Sequence, residues 1–347
     1  MKKTKRIYIG KVPIGGGADI AVQSMVNRPP HDAKAILKQI WELKEANCEI
    51  VRLTVPDEKA AEVFKIVKKE SPLPLIADIH FRHQLALAAI EAGADGLRLN
   101  PGNIGSHEGV EKVVKAAKER SIPIRIGVNA GSISVEKIDK YGGPTVEAMV
   151  ESALEHVAIL ERLNFDLIKI SIKASDVNKT VDAYRQLSQK VDYPLHVGIS
   201  EAGSEFSGTI KSAVGIGILL KEGIGDTIRV SLTADPVIEV KVAYEILKVL
   251  DIRRISPEVI SCPTCGRCEI DLIEISRRAE IEIAKSKKPI KVAIMGCIVN
   301  GPGEAREADI GIAGGDGCGV IFKGGKILRK EPEENLYNAL MEEINKL

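Results

Sequence analysis

Three cysteines spaced three apart stand in the stretch "SCPTCGRCEI", at Cys262, Cys265 and Cys268, in a chain with only six. Cys297 joins them 29 residues on, inside "GCIVNGPGE". Overlapping C-x-x-C pairs with a later cysteine have the spacing of a metal site, and zinc and iron-sulfur both fit it. A bacterial ferredoxin run is excluded as the pattern, because it needs a fourth cysteine soon after Cys268 with proline behind it, and this chain continues "EIDLIEI". A thioredoxin-type dithiol leaves Cys297 and "NGPGE" without a role. Structural zinc held by Cys262, Cys265, Cys268 and Cys297 stays open on spacing alone. Cys48, between a helix and a strand, and Cys318, in a glycine turn, read as packing thiols.

A second set of reactive types recurs at the ends of apolar runs: Arg52 and Thr54; Asp78 and His80; Arg98, Asn100 and Asn103; Arg125 and Asn129; Lys169, Ser171 and Lys173; His196, Ser200 and Glu201; Arg229 and Ser231. One arginine at a strand end is commonly a surface ion pair. Four arginines and a lysine converging on one rim need an anion, and the guanidinium fork suits phosphate oxygens. Asn100, Asn103 and Asn129 each lie within two residues of a glycine, where backbone approaches a ligand closely or simply turns. Asp78, His80, His196 and Glu201 are the titratable candidates for moving protons.

The elements that must position these groups follow a βα rhythm from Ile20 to about Ser231. Candidate strands cover 20–25, 49–55, 73–80, 96–100, 123–129, 167–172, 194–200 and 227–232. The helical runs between them carry their own start signals, such as Asp57, Ser175 or Asp176, and Asp235 with Pro236 in the first turn. Eight such units in about 250 residues predict a (β/α)8 TIM barrel, whose catalytic groups gather at the C-terminal ends of the strands. A doubly wound sheet is the competitor, but "GKVPIGGGADI" lacks the G-x-G-x-x-G spacing and precedes its strand. The texture changes to short strands and glycine turns after Ile255. The reading is therefore a barrel over 1–255 and a smaller α+β domain over 256–347.

Lys plus Arg is 49 and Asp plus Glu 48, for a net charge of +1, so no long-range field draws the chain to nucleic acid or an anionic membrane. No apolar stretch has the length of a signal-peptide core or a bilayer span, and a cytoplasmic location is expected. In a reducing compartment, clustered cysteines point to metal or catalysis rather than disulfides.

"SCPTCGRCEIDL" followed by "GCIVNGPGEA", with "ADIHF", "LRLNPGN", "IRIGVNAGS", "KIS", "EAG" and "IRVSLTADP" in order along nearly the whole chain, resembles the bacterial 4-hydroxy-3-methylbut-2-enyl diphosphate synthase family of the methylerythritol phosphate route to isoprenoids. The resemblance implies a 4Fe-4S cluster held by Cys262, Cys265, Cys297 and Glu304, in a second domain similar to the cluster-binding unit of sulfite and nitrite reductases. It implies a diphosphate held by Arg52, Arg98, Arg125, Lys173, Arg229 and Ser231, with Asn100 and Asn129 assisting. Glu201 is implied as the acid protonating the departing hydroxyl, with Asp78 second. Cys268 departs from the family pattern, as does Ser200, where threonine is more usual before Glu-Ala-Gly. The implied reaction is a two-electron reductive ring opening and dehydration of 2-C-methyl-D-erythritol 2,4-cyclodiphosphate, fed by flavodoxin or ferredoxin. A homodimer is implied, with the cluster domain of one chain capping the barrel of the other. Against it stands a barrel lyase or transferase for phosphorylated substrates, similar to pterin-binding synthases, with structural zinc.

Overall fold

The computed structural model describes residues 2–286, 288–297 and 305–347. It separates into two compact units, Met1–Leu250 and Asp251–Leu347.

In the first unit a short hairpin, β1 (Ile7–Ile9) and β2 (Val12–Ile14), precedes eight parallel strands: β3 (Ala21–Met25), β4 (Ile50–Thr54), β5 (Leu75–Asp78), β6 (Gly96–Arg98), β7 (Ile124–Asn129), β8 (Ile168–Lys173), β9 (His196–Val197) and β10 (Thr227–Ile228). The hydrogen-bonded order β8-β7-β6-β5-β4-β3-β10-β9 closes through a bridge between Ile170 and Leu195. This is the TIM barrel the rhythm predicts, with all eight expected strands present among the described residues. All but β8 are shorter than the apolar runs, most of all β9 and β10. Helices start where the sequence signals them: Asp57, Asp176 and Asp235 each accept a hydrogen bond from a backbone N–H of the first turn.

Residues two apart on a strand face the same side of the sheet. In the barrel this sorts the inward positions into levels. Ala21, Ile50 and Ile76 close the lower end against Ile7, Ile9 and Ile14 of the hairpin, all almost fully buried. The hairpin is a plug that the strand pattern alone does not anticipate. Above that floor the inward positions turn polar, and the barrel carries its chemistry on a rigid wall.

The second unit is a five-stranded sheet, ordered β11 (Glu258–Ser261), β12 (Lys291–Met295), β13 (Ile310–Gly315), β14 (Cys318–Lys323) and β15 (Lys326–Pro332). The first three strands are parallel and the last two antiparallel. Helices Leu272–Ile283 and Glu333–Asn345 bury an apolar face on it through Ile275, Ala279, Leu336 and Leu340. The unit is α+β, as the change in texture predicts. Cys318 opens β14 and is partly buried, rather than sitting in the turn before it.

Candidate active site: a cationic cavity in the barrel and a thiol group in the second unit

At the C-terminal end of the barrel strands a cavity of about 250 Å³ is lined by Arg52, Asp78, His80, Arg98, Arg125, Asn129, Ser171, Lys173, Ser200, Arg229 and Ser231. Five of these are lysine or arginine and one is a carboxylate. The parallel register makes the gathering: Asp78 lies opposite Arg98, Arg98 opposite Arg125, and Asn129 opposite Lys173. Asp78, Arg98 and Arg125 therefore share one register across three consecutive strands, and Asn129 and Lys173 share another nearer the strand ends.

Asp78 organises two of the cations. Arg52 Nε lies 3.5 Å from Oδ2, and Arg98 Nη1 lies 3.2 Å from Oδ1. His80 Nε2 stands 3.4 Å from the same Oδ1 and 2.8 Å from Arg98 Nη1. Burial pushes the Asp78 carboxyl up, but Arg52, the hydrogen bond from His80, and Arg98 and Arg125 together hold it far below the usual carboxylate range. Burial in turn pulls Arg52 down to about 10, Asp78 opposing the fall and Arg229 and Arg98 adding to it, so it remains charged at neutral pH. Arg125 donates from Nη1 to Ser171 Oγ at 2.6 Å, while its Nε and Nη2 find no partner among the described residues. Lys173 is buried, and desolvation followed by repulsion from Arg125 and Arg229 lowers its ammonium well below the ordinary value. Buried donors without acceptors, in a field of like charge, are built for an anionic ligand.

Two glycines make room for this. A Cβ on Gly127 would stand 2.7 Å from Arg98 Nε, and one on Gly198 would stand 2.9 Å from Lys173 Nζ. Both are closer than a side chain tolerates, so the cations seat against bare backbone.

A neighbouring cavity of about 370 Å³ shares His80, Arg98 and Asn129 with the first and adds Phe81, Asn100, Asn103, Ile104 and Ile133. Asn100 pairs twice with the Gly127 backbone, at 2.9 Å each way, and so braces the wall between the cavities. Lys169 and His196 lie deeper and line neither cavity. Thr54 ends β4 opposite Asp78 and also lines neither. Glu201 stands exposed at the turn after Ser200, with φ +52°, and is not among the lining residues.

In the second unit, Cys262 follows β11 and Cys297 follows β12, at the same end of two parallel neighbours. Gly296 joins the thiols: its N–H donates to Cys262 Sγ at 3.3 Å, and a Cβ on it would stand 2.5 Å from Cys268 Sγ. Cys268 Sγ donates to the Ile270 carbonyl at 3.3 Å and packs against the helix-covered face. Cys265 is exposed. Glu304 lies outside the described residues. Among the described residues no three side chains of metal-ligand type converge, and no cysteine is in a disulfide. Cys48 is buried behind the barrel, and burial pushes its thiol up to about 12, as befits a packing residue.

The GcpE TIM-barrel domain matches residues 4–244, and the GcpE protein C-terminal domain matches residues 258–346. The chain belongs to the GcpE family. A relative from Geobacter sulfurreducens, a 4-hydroxy-3-methylbut-2-en-1-yl diphosphate synthase (flavodoxin), is 60% identical over 99% of this chain and 98% of its own length. One of the same description from Lawsonia intracellularis is 58% identical over 100% and 97%. Among solved structures, 3-dehydroquinate dehydratase from Geobacillus kaustophilus aligns with TM-score 0.53 and 14% identity over 72% of this chain and 98% of its own. That likeness shows the barrel fold alone.

In this GcpE-family chain, sequence reading missed three contributors. Met25 Sδ lies 2.8 Å from Arg52 Nη2, giving that guanidinium a soft contact. Glu239, buried in the helix Pro236–Val249, stands 3.4 Å from Arg229 Nη2 and accepts the Leu232 N–H at 2.9 Å. Gly127 looks like any strand glycine until Arg98 is seen lying on it. Only the "DPVIE" spacing, with Glu239 one turn into its helix, hinted at any of them.

Proposed function

We propose that this chain forms 4-hydroxy-3-methylbut-2-en-1-yl diphosphate, the product for which its full-length relatives are named, from 2-C-methyl-D-erythritol 2,4-cyclodiphosphate. One observation carries the reading: five cations and a single carboxylate line one small cavity in a chain of net charge +1. The reaction takes in two electrons and a proton, breaks the ring C–O bond to phosphate, and releases the neighbouring hydroxyl as water. Both negative phosphoryl groups persist throughout, so a cationic cradle that outlasts every step is what the substrate requires.

Arg52, Arg98, Arg125, Lys173, Arg229 and Ser231 hold the diphosphate, and Asn129 and Ser200 hydrogen-bond the carbon skeleton's hydroxyls. Asn100 acts by bracing the wall. Asp78 orients Arg52 and Arg98; held firmly ionised, it has no proton to give at neutral pH, which moves it out of the acid role. Glu201, at the rim beside Ser200, is the proposed proton donor to the leaving hydroxyl.

Side chains do not supply electron pairs for reduction, so a redox cofactor is required. The donor set suits a 4Fe-4S cluster: thiols leave two adjacent strand ends, and the Gly296 N–H already points at Cys262 sulfur, as cluster sulfurs are commonly hydrogen-bonded. Cys262, Cys265, Cys297 and Glu304 would hold it, and it would deliver single electrons received from flavodoxin or ferredoxin. A carboxylate is a harder, more readily displaced ligand than a thiolate, which suits a position that a substrate oxygen can claim. Cys268, occupied with Ile270 and Gly296, is left out of the set. The protein works in the cytoplasm as a homodimer with the site shared between chains.

Anaerobic purification and assay test the reading. Expected are bound iron and inorganic sulfide and reductant-dependent formation of the linear diphosphate. A colourless protein with stoichiometric zinc and no turnover overturns it in favour of the barrel lyase or transferase.

A further inference from the structure

Beneath the cationic cavity the barrel interior stays polar for one more level before the apolar floor. Lys169, on β8, lies below Ser171 and Lys173 on the same inward face and opposite Arg125 in the register. It is 1% exposed, and its Nζ finds no hydrogen-bond partner among the described residues. His196, on β9 and fully buried, spends Nδ1 on Thr227 Oγ1 at 2.7 Å and leaves Nε2 without a partner among them. Gln23, on β3 and 1% exposed, has neither amide atom partnered among them. The cavity's own residues therefore stand on a second polar level that the diphosphate reading does not use.

The charges facing Lys169 come from every side. Arg125 on β7 and Arg52 on β4 repel an ammonium there, and Lys173 sits four residues along its own strand. Asp226, before β10, attracts it, but Asp226 already accepts from Thr4 Oγ1 at 2.6 Å and from the Leu195 N–H at 2.8 Å. His196 on β9 is held neutral by burial and by these same cations. Desolvation first, then Arg125 and Arg52, drive the Lys169 ammonium well below its ordinary value. An anion placed among Arg52, Arg98, Arg125, Lys173 and Arg229 offsets much of that field.

We infer that Lys169 is a positioning residue of the anion site: its buried amine, with no hydrogen-bond partner among the described residues, gains a counter-charge when a diphosphate binds above it and takes up a proton from solvent. The inference rests on the proposed diphosphate reading. Lys169 forms no bond to the ligand; it adds a buried positive charge below it, balances the incoming negative charge, and holds Arg125 toward the phosphate. Binding thereby becomes coupled to proton uptake, with Lys173, which lines the cavity, contributing a share of its own.

The test is calorimetric titration of the intact protein with inorganic diphosphate at neutral pH, in buffers of different ionisation enthalpy, which counts protons taken up per ligand. Lys169→Met and Lys169→Arg are compared with the parent. Uptake falls by about one proton in both variants, because neither side chain titrates there. Affinity falls about tenfold in Lys169→Met, which lacks the charge, and stays within about threefold in Lys169→Arg, which keeps it. Should Lys169→Met not fold, the Arg variant alone decides through the proton count. Unchanged uptake in a folded variant overturns the inference and leaves the diphosphate reading standing. Absence of diphosphate binding by the parent protein overturns both.

Discussion

Asp78 and Arg98 meet at 3.2 Å on neighbouring strands, placed opposite each other by the β5–β6 register, with both side chains nearly buried. The pair fixes one carboxylate among five cations, so the cavity keeps a surplus of positive charge while its arginines stay oriented. Removing Asp78 therefore costs both stability and order.

For Asp78→Asn the expected loss is about 3 kcal/mol, typical of breaking a buried ion pair. The sign with pH is set by the depressed folded-state value: its contribution is fully present above about pH 5 and is lost as pH falls through the unfolded carboxylate range near 4 and below. Urea midpoints of parent and variant, measured from pH 7 down to 3, should draw closer toward the acid end without meeting. A constant gap rejects the account.

Gly127→Ala tests the bare-backbone seat. A methyl 2.7 Å from Arg98 Nε displaces the guanidinium from Asp78 and the Gly127 carbonyl. Diphosphate affinity should fall about tenfold with the fold intact, equal to about 1.4 kcal/mol. Wild-type affinity in the variant shows the seat to be dispensable.

Arg125→Lys keeps the charge and removes the fork that reaches Ser171 while leaving two donors for a ligand. We expect kcat/KM to fall by at least about tenfold, because an ammonium does not replace planar bidentate contact. A loss under about twofold assigns Arg125 to charge alone.

The thiols separate by substitution. Cys262→Ser and Cys297→Ser should lose bound iron and sulfide, whereas Cys268→Ser should retain them and lose only about 1 kcal/mol of stability from its packing on Gly296. Iron loss in Cys268→Ser as complete as in Cys262→Ser places Cys268 among the ligands. Mössbauer spectra should further show one iron distinct from three if Glu304 is the odd ligand.

If the site is shared between chains, mixing Arg98→Ala with Cys297→Ala subunits should restore activity in heterodimers. No recovery after proven subunit exchange places the whole site within one chain.

The sequence by itself determined the barrel, because eight apolar runs alternating with capped amphipathic helices have few other ways to bury their surface. It also nominated the cationic rim, since strand-end arginines in such a barrel share one face. Spacing marked Cys262, Cys265, Cys268 and Cys297 alike, and only the family likeness set Cys268 apart. Strand pattern told inward from outward positions but not height. Only the register between strands set Asp78 opposite Arg98 and Arg98 opposite Arg125, and only the closed barrel left Lys169 and His196 buried beneath the cavity. Tertiary packing likewise turned Gly127 and Gly198 into seats for cations, brought Glu239 from its helix to Arg229, and closed the lower end with the hairpin. Periodicity is local and written in neighbouring residues, whereas depth in a barrel depends on the stagger of strands far apart in the chain.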